Sequence, residues 1–272
     1  MQEFVIESLE DHRLDPYRAL KQSRAEPSRT FIAEGEKLVR RLIDSPCRTQ
    51  SVLCTAAARA RLELDARLPA ETPLYLTTTA QISSLVGFQF HRGVLACGVR
   101  PEPPSLESLC HSPAAPATSL IVACPDIRDP ENLGTIIRTT AALGGMGIIA
   151  GLTGTDPFSR RVLRTSMGTV LQLPIVRTDG WIEALDRLRQ SGFETIATVL
   201  ESTAQPLEDV PGPNRAVVFF GNEDSGLPAD LVAGCDRRVT LPMSAGVDSL
   251  NVAVAAGIVL YHLTRPAPGT GG

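Results

Sequence analysis

No two cysteines of this chain stand in a CxxC pair: Cys47, Cys54, Cys97, Cys110, Cys124 and Cys235 are scattered, and the four histidines are equally dispersed. Neither a zinc site nor a disulfide framework is indicated, and the cysteines read as reduced and structural. Long apolar runs are missing too. The longest, Val252 to Leu263, falls short of the roughly 20 residues a membrane helix needs. The opening stretch "MQEFVIESLEDHR" is acidic and has no apolar signal core, so a cytoplasmic protein is expected. Lysine is nearly absent: of 26 basic residues only Lys21 and Lys37 are lysine. Arginine is the better fork for phosphate and the better surface for stacking on bases, although genome composition produces the same bias.

The net charge of −4 comes from 26 Lys+Arg against 30 Asp+Glu and is unevenly placed. Residues 1 to 100 hold 14 basic against 12 acidic residues, a net of +2, and the remaining 172 hold 12 against 18, a net of −6. A length of 272 residues with 43% hydrophobic and 21% charged residues fits two soluble domains, each with its own core. The Pro-, Ser- and Ala-rich stretch "VRPEPPSLESLCHSPAAPATS" (99 to 119) reads as a linker with little packing of its own and divides the chain near residue 105.

Before the linker, "TFIAEG", "SVLCT", "PLYLTT" and "RGVLACGV" alternate with the helical patterns "EKLVRRLID", "AAARARLELDARL" and "AQISSLVG", which predicts a small α/β domain. After it the units are longer. The pattern predicts strands "SLIVAC", "GIIAG", "ETIATVL", "AVVFFG" and "RRVTL", and helices over 130–143, near 159–167, over 180–191, from Pro228 and from Leu250. Such a mostly parallel, helix-covered sheet gathers its ligands beyond the carboxyl ends of its strands.

Three strand-end stretches carry polar residues that a plain turn does not need. In "PDIRDPENLGTIIRTTAALGG" (125 to 145), Asp129 before Pro130 is an N-cap with proline at the first helical position, and Asn132 falls in the first turn. Gly134 and Arg138 share a helix face, so Arg138 leans back over the glycine toward the strand end. The alternative is tight helix packing at Gly134 and a pairing of Arg138 with Asp126 or Glu131. In "VVFFGNEDSGLP" (217 to 228), Gly221 lets a ligand approach the backbone and Glu223 sits at the sheet's carboxyl edge. In "RRVTLPMSAGVDSLNVAVAAG" (237 to 257), Asp248 or Ser249 caps a core helix, and Asn251 adds a further polar group.

The glycine pattern in "GMGIIA" (145 to 150) follows a helix and opens a strand, the reverse of a dinucleotide-binding turn, so a nicotinamide site is rejected. No histidine occurs in the three stretches, and Asp126, Asp129 and Glu131 read as caps and solvated charges, so no metal is expected.

In order, "NLGTIIRTTAALGG", "FFGNEDSGLP" and "LPMSAGVDSLNVAVAAGIVLYHL" resemble the three motifs of the SpoU (TrmH-like) branch of the SPOUT RNA methyltransferases, and "RRVLRTSMGTVLQLPIV" is similar to that family as well. Upstream, "FIAEGEKLVRRLIDS" and "FHRGVLACG" resemble an L30e-like substrate-binding domain. The resemblance implies an α/β fold: a SPOUT-type mostly parallel sheet with a C-terminal trefoil knot, preceded by a small L30e-like α/β domain. The implied boundaries are 1–104 for that RNA substrate-binding domain, 105–117 for the linker, 118–266 for the methyltransferase domain and 267–272 for a flexible tail.

It also implies a homodimer that uses S-adenosyl-L-methionine to methylate a ribose 2′-hydroxyl of RNA, ribosomal rather than transfer RNA by analogy. By position, the family's functional polar residues fall on Asn132, Arg138, Glu223, Ser249 and Asn251. Its cofactor contacts fall on Gly221, Leu241 and Leu250, with Thr198 and Asn222 as lesser candidates. Arg160, Arg161 and Arg164 are candidates for RNA phosphates, their alternative being a solvated helix face. A guanidinium is almost never deprotonated in a protein, so Arg138 is expected to stabilise a developing alkoxide and not to act as base. Competing readings are a transfer-RNA methyltransferase, a non-catalytic RNA-binding protein of the same fold, and a nucleotide-dependent oxidoreductase.

Overall fold

β-branched and apolar alternation in the first hundred residues does produce a sheet in the computed structural model, which describes residues 2–18, 29–111, 119–244 and 249–264. In chain order the elements are β1 (Glu3–Val5), α1 (Asp15–Arg18), β2 (Thr30–Glu34), α2 (Glu36–Ile43), β3 (Thr49–Cys54), α3 (Ala56–Leu62), α4 (Leu64–Arg67), β4 (Leu74–Leu76), α5 (Thr79–Val86) and β5 (Val94–Val99). The strand order is β1-β4-β3-β5-β2. β1, β4 and β3 run parallel, and β5 is antiparallel to both β3 and β2. The helical pattern at 56–68 breaks in two at Glu63, whose φ of 51° is left-handed. Tyr17 is fully buried in this core, its hydroxyl 2.7 Å from Ser51 Oγ.

Beyond Glu102, the Pro-rich stretch is more than a tether. Ser105 caps a short helix, α6 (Leu106–Cys110), whose Leu109 and Cys110 are buried in the core of the second sheet. The expectation of little packing there fails because two apolar residues one turn in from a good cap are enough to dock it. β6 (Ser119–Cys124), α7 (Pro130–Ala142) and β7 (Gly147–Gly151) follow, and then α8 (Arg160–Thr165). Next come β8 (Ile175–Thr178), α9 (Trp181–Gln190), β9 (Glu194–Thr198), β10 (Gln205–Pro206), β11 (Arg215–Phe219), α10 (Ala229–Gly234), β12 (Arg237–Thr240) and α11 (Val252–Leu263). The second sheet has the order β10-β12-β9-β11-β6-β7-β8, and every neighbouring pair is parallel. All its strands therefore end at the same edge.

The chain divides into two units. One runs from the amino terminus to Glu102 and takes in Phe158–Gln172, and the other comprises Pro103–Pro157 and the chain from Leu173 onward. α8, although it lies between two strands of the second sheet in sequence, packs on β2 of the first, with Val162 and Leu163 buried. The expected tail at 267–272 and the candidate cap Asp248 lie outside the described residues.

All six cysteines are free, and only Cys235 is partly accessible. Burial pushes Cys54 and Cys124 up to about 12 and Cys97 and Cys235 up to about 11. Since the thiolate is the reactive form, Ellman's reagent at pH 8 should label the native protein slowly, Cys235 first, and all six thiols only after denaturation. Fast labelling of several thiols in the native protein would contradict this packing.

Candidate active site

The apolar strand β11 runs into Phe220, which is buried, and then reverses over five residues. Asn222 N donates to Gly226 O at 3.0 Å and Gly226 N returns a bond to Asn222 O at 2.9 Å. Gly226 takes the left-handed φ of 69° that closes the turn. A Cβ on Gly221 would lie 2.5 Å from Leu227 N and closer still to the Gly226 carbonyl carbon. The approach that requires glycine here is thus made by the chain's own turn. Asn222 is buried, and its side chain is fully engaged: Oδ1 accepts from Asp224 N (2.9 Å) and Ser225 N (3.2 Å), and Nδ2 donates to Asp126 O (2.8 Å).

The three strand-end stretches meet in one directed chain of hydrogen bonds. Asp129 Oδ1 accepts from Glu131 N at 2.6 Å and Pro130 opens α7, as the sequence suggests, which puts the buried Asn132 in the first turn. The cap of α11 differs from the expectation. It is Asn251, not Asp248 or Ser249, and the helix starts at Val252. Asn251 Oδ1 accepts from Ala253 N (2.9 Å) and Val254 N (3.3 Å), orphan donors that a first turn must satisfy. Its Nδ2 then donates to Asn132 Oδ1 at 2.9 Å, and Asn132 Nδ2 donates to Glu223 Oε1 at 2.6 Å. Backbone N–H groups only donate, so capping fixes which way Asn251 faces, and each amide orients the next. The chain ends on a carboxylate that receives a charge-assisted bond. Glu223 also faces the end of β6: after burial, its negative charge is the next cause raising the Cys124 thiol.

Beside this chain, a cleft of ≈ 870 Å³ opens at the carboxyl ends of β9, β11 and β12, closed on one side by the start of α11. The candidate cofactor contacts Thr198, Gly221, Asn222, Leu241 and Leu250 all line it, as do Glu223, Ser249 and Asn251. Thr198 Oγ1 is bonded to Phe219 O at 2.8 Å. Asn132 touches the cleft's lining through Asn251 and Glu223 without being part of it. Arg138 lies outside the lining; it is exposed on α7 and makes no ion pair or side-chain hydrogen bond among the described residues. Asp126, one of its expected partners, pairs instead with Arg128 at 2.9 Å. Sequence reasoning misses the wall residues Leu200 and Met243, and the pair of Glu201 with Arg238 (3.4 Å), which bring both signs of charge to the lining. For Leu200, Glu201 and Met243 the only sequence signal is position just past a strand, and Arg238 lies within β12.

The three candidate RNA-binding arginines separate. Arg160 turns inward within the first unit: its Nε and Nη2 both bind the carboxylate of Glu34, which is 4% exposed, and its guanidinium lies 4.6 Å from the Phe88 ring centroid. Arg161 and Arg164 are exposed on α8. Among the described residues, no group of three or more His, Cys, Asp or Glu could hold a metal ion, and no helix is long and apolar enough to cross a membrane.

The model of the SpoU rRNA Methylase family matches residues 119–261. An uncharacterized tRNA/rRNA methyltransferase of Mycobacterium tuberculosis is 32% identical over 273 residues, 96% of this chain and 93% of the relative. The 23S rRNA (guanosine(2553)-2'-O)-methyltransferase RlmP of Bacillus subtilis is 29% identical over 262 residues, 95% of this chain and 98% of the relative. Among solved structures, an AdoMet-bound rRNA methyltransferase from Sinorhizobium meliloti matches with a TM-score of 0.79 at 29% identity, covering 97% of this chain and 98% of that one.

Proposed function

This chain belongs to the SpoU rRNA Methylase family, and from that premise we propose that it transfers a methyl group from S-adenosyl-L-methionine to a ribose 2′-hydroxyl of RNA, with ribosomal RNA as substrate. The observation that carries the reading is the hydrogen-bonded chain Asn251–Asn132–Glu223 beside a cleft at the sheet's carboxyl edge. A volume of ≈ 870 Å³ lies in the range of small-molecule sites, and the lining fits the cofactor's two ends. Apolar Val199, Leu200, Leu241, Met243 and Leu250 suit an adenosine, and Glu201, Asp224 and Arg238 suit an amino acid that carries both charges.

When bound, the cofactor supplies a methyl group activated by a positive sulfur. The chain's own residues hold and polarise the ribose. Asn132 and Asn251 are pre-oriented by their bonds, so they add little reorganisation when the sugar docks. Glu223 anchors the far end of that chain. Arg138 stabilises negative charge developing on the 2′-oxygen and binds the adjacent phosphate, and the hydroxyl proton leaves to that phosphate or to water.

The family reading brings three further features. They are the C-terminal trefoil knot, an L30e-like character for the first unit, supported by its mixed five-stranded α/β sheet, and a homodimer. The dimer is supported by α11 and its lead-in: Leu250, Val254, Ile258 and Tyr261, at near-helical spacing, are exposed to between 39% and 55%. The compartment that goes with such a substrate is the cytoplasm.

Two measurements test the reading. Calorimetry should show binding of S-adenosylhomocysteine and none of NAD; the opposite pattern would sink it. Incubation with labelled S-adenosylmethionine and total RNA should then place the label on a ribose of ribosomal RNA, and label on a base would refute the 2′-O assignment.

A further inference from the structure

Within the first unit, α2 and the turn that ends α8 are locked together. Arg41 Nη1 donates to the Met167 carbonyl, and a Cβ on Gly168 would lie 3.0 Å from Leu38 Cδ2 and 3.2 Å from Arg41 Cδ. Met167 and Gly168 both take left-handed φ, 54° and 82°, and Met167 N donates to Arg164 O at 3.0 Å. Arg41 therefore reaches the last turn of α8. On α2, Lys37 and Arg41 are four residues apart on one face with Arg40 beside them; on α8, Arg161 and Arg164 are three apart. Lys37, Arg40, Arg161 and Arg164 are exposed and Arg41 is half-buried. Two segments distant in sequence thus present one row of cations.

The acids of the same segments are drawn off elsewhere. Glu34 is buried under Arg160. Glu36 pairs with Arg61 at 2.6 Å and Asp44 with Arg67 at 2.5 Å. Among the described residues, Lys37, Arg40 and Arg164 make no ion pair or side-chain hydrogen bond. On a chain of net charge −4, a row of mostly arginine forks with these three cations left over matches the geometry of a phosphate run.

We infer that this row is the seat for the phosphate backbone of the RNA, built jointly by α2 and α8. The inference rests on the reading of the protein as an RNA methyltransferase. Within it, Arg160 is the brace that buries Glu34 and leaves Arg161 and Arg164 facing the RNA.

The test uses the full-length protein and deproteinised ribosomal RNA. Binding is followed by fluorescence anisotropy from low to physiological salt for a Lys37→Glu, Arg40→Glu, Arg164→Glu variant. Arg187→Glu, on α9 and paired among the described residues only with Glu183, controls for charge reversal away from the row. Each lost phosphate contact removes about 0.7–0.9 from the salt slope and roughly a factor of four in affinity at physiological salt. The triple variant should thus bind about 50-fold more weakly, with a slope shallower by about 2 to 3, and S-adenosylhomocysteine binding should stay as in the unmodified protein. If its affinity and slope match those of Arg187→Glu, the row is not the seat. A wild-type protein that binds S-adenosylhomocysteine but no RNA at any salt would instead overturn the RNA reading itself. Should the triple reversal melt early, the three single alanine variants carry the same measurement, each expected to lower the slope by part of that amount.

Discussion

Replacing Arg138 with alanine should lower kcat for RNA methylation by about 100- to 1,000-fold, the usual loss when one stabiliser of a developing oxyanion is removed. The melting temperature and S-adenosylhomocysteine affinity should not change. The structure explains the separation of effects: Arg138 is exposed, has no partner among the described residues and lies outside the cleft's lining, so neither fold nor cofactor site depends on it. An exposed guanidinium on α7, without an ion pair among the described residues while Arg128 takes Asp126, is available for a group the protein itself does not supply. Arg138→Lys refines the test. Lysine keeps the charge but not the planar fork, and near-full activity of that variant would remove the fork from the mechanism.

Gly221→Ala should fail in the opposite way, by losing the site and stability together. The added Cβ meets Leu227 N at 2.5 Å and the Gly226 carbonyl carbon more closely. Both are backbone atoms of a turn already pinned by the reciprocal bonds between Asn222 and Gly226 and by the side chain of Asn222. Overpacking of this kind costs about 1–3 kcal/mol where side chains can yield, and backbone yields less. A fall in melting temperature of about 5 °C or more is expected at about 2–4 °C per kcal/mol for a chain of this size. Because the displaced turn forms one wall of the cleft, S-adenosylhomocysteine binding should be lost as well. Calorimetry that finds normal ligand affinity in a normally melting Gly221→Ala protein would show that the turn tolerates the clash.

Elements with a strong local signal are legible in the amino-acid sequence alone. The cap at Asp129 followed by Pro130, the apolar β6 and β11, and the gathering of polar residues at strand ends all follow from spacing and composition. What escapes is short or long-range. β8 has four residues, two of them half exposed, and β1 has three, too few to show a period. The cap of α11 escapes because serine, aspartate and asparagine all cap well, and the choice of Asn251 depends on Asn132, 119 residues away. The turn at Gly221 is legible as needing glycine, but what needs it, the chain or a ligand, is decided only by where Gly226 and Leu227 return. Arg160 looks like its neighbours Arg161 and Arg164 because its partner Glu34 is 126 residues away.

That last separation bears on the order in which the protein can be made. Synthesis is vectorial, and domains generally fold as they emerge, the amino-terminal one first. Here the amino-terminal unit lacks part of its own interior until Phe158–Gln172 has been delivered. Phe158 stacks on Phe31, Leu171 O accepts from Cys47 Sγ, and Arg160 neutralises Glu34, which would otherwise be a charge in a nearly dry pocket. During translation the unit must wait, incompletely closed, while β6, α7 and β7 of its neighbour leave the ribosome. Its completion waits on the synthesis of the first part of the unit that carries the candidate active site.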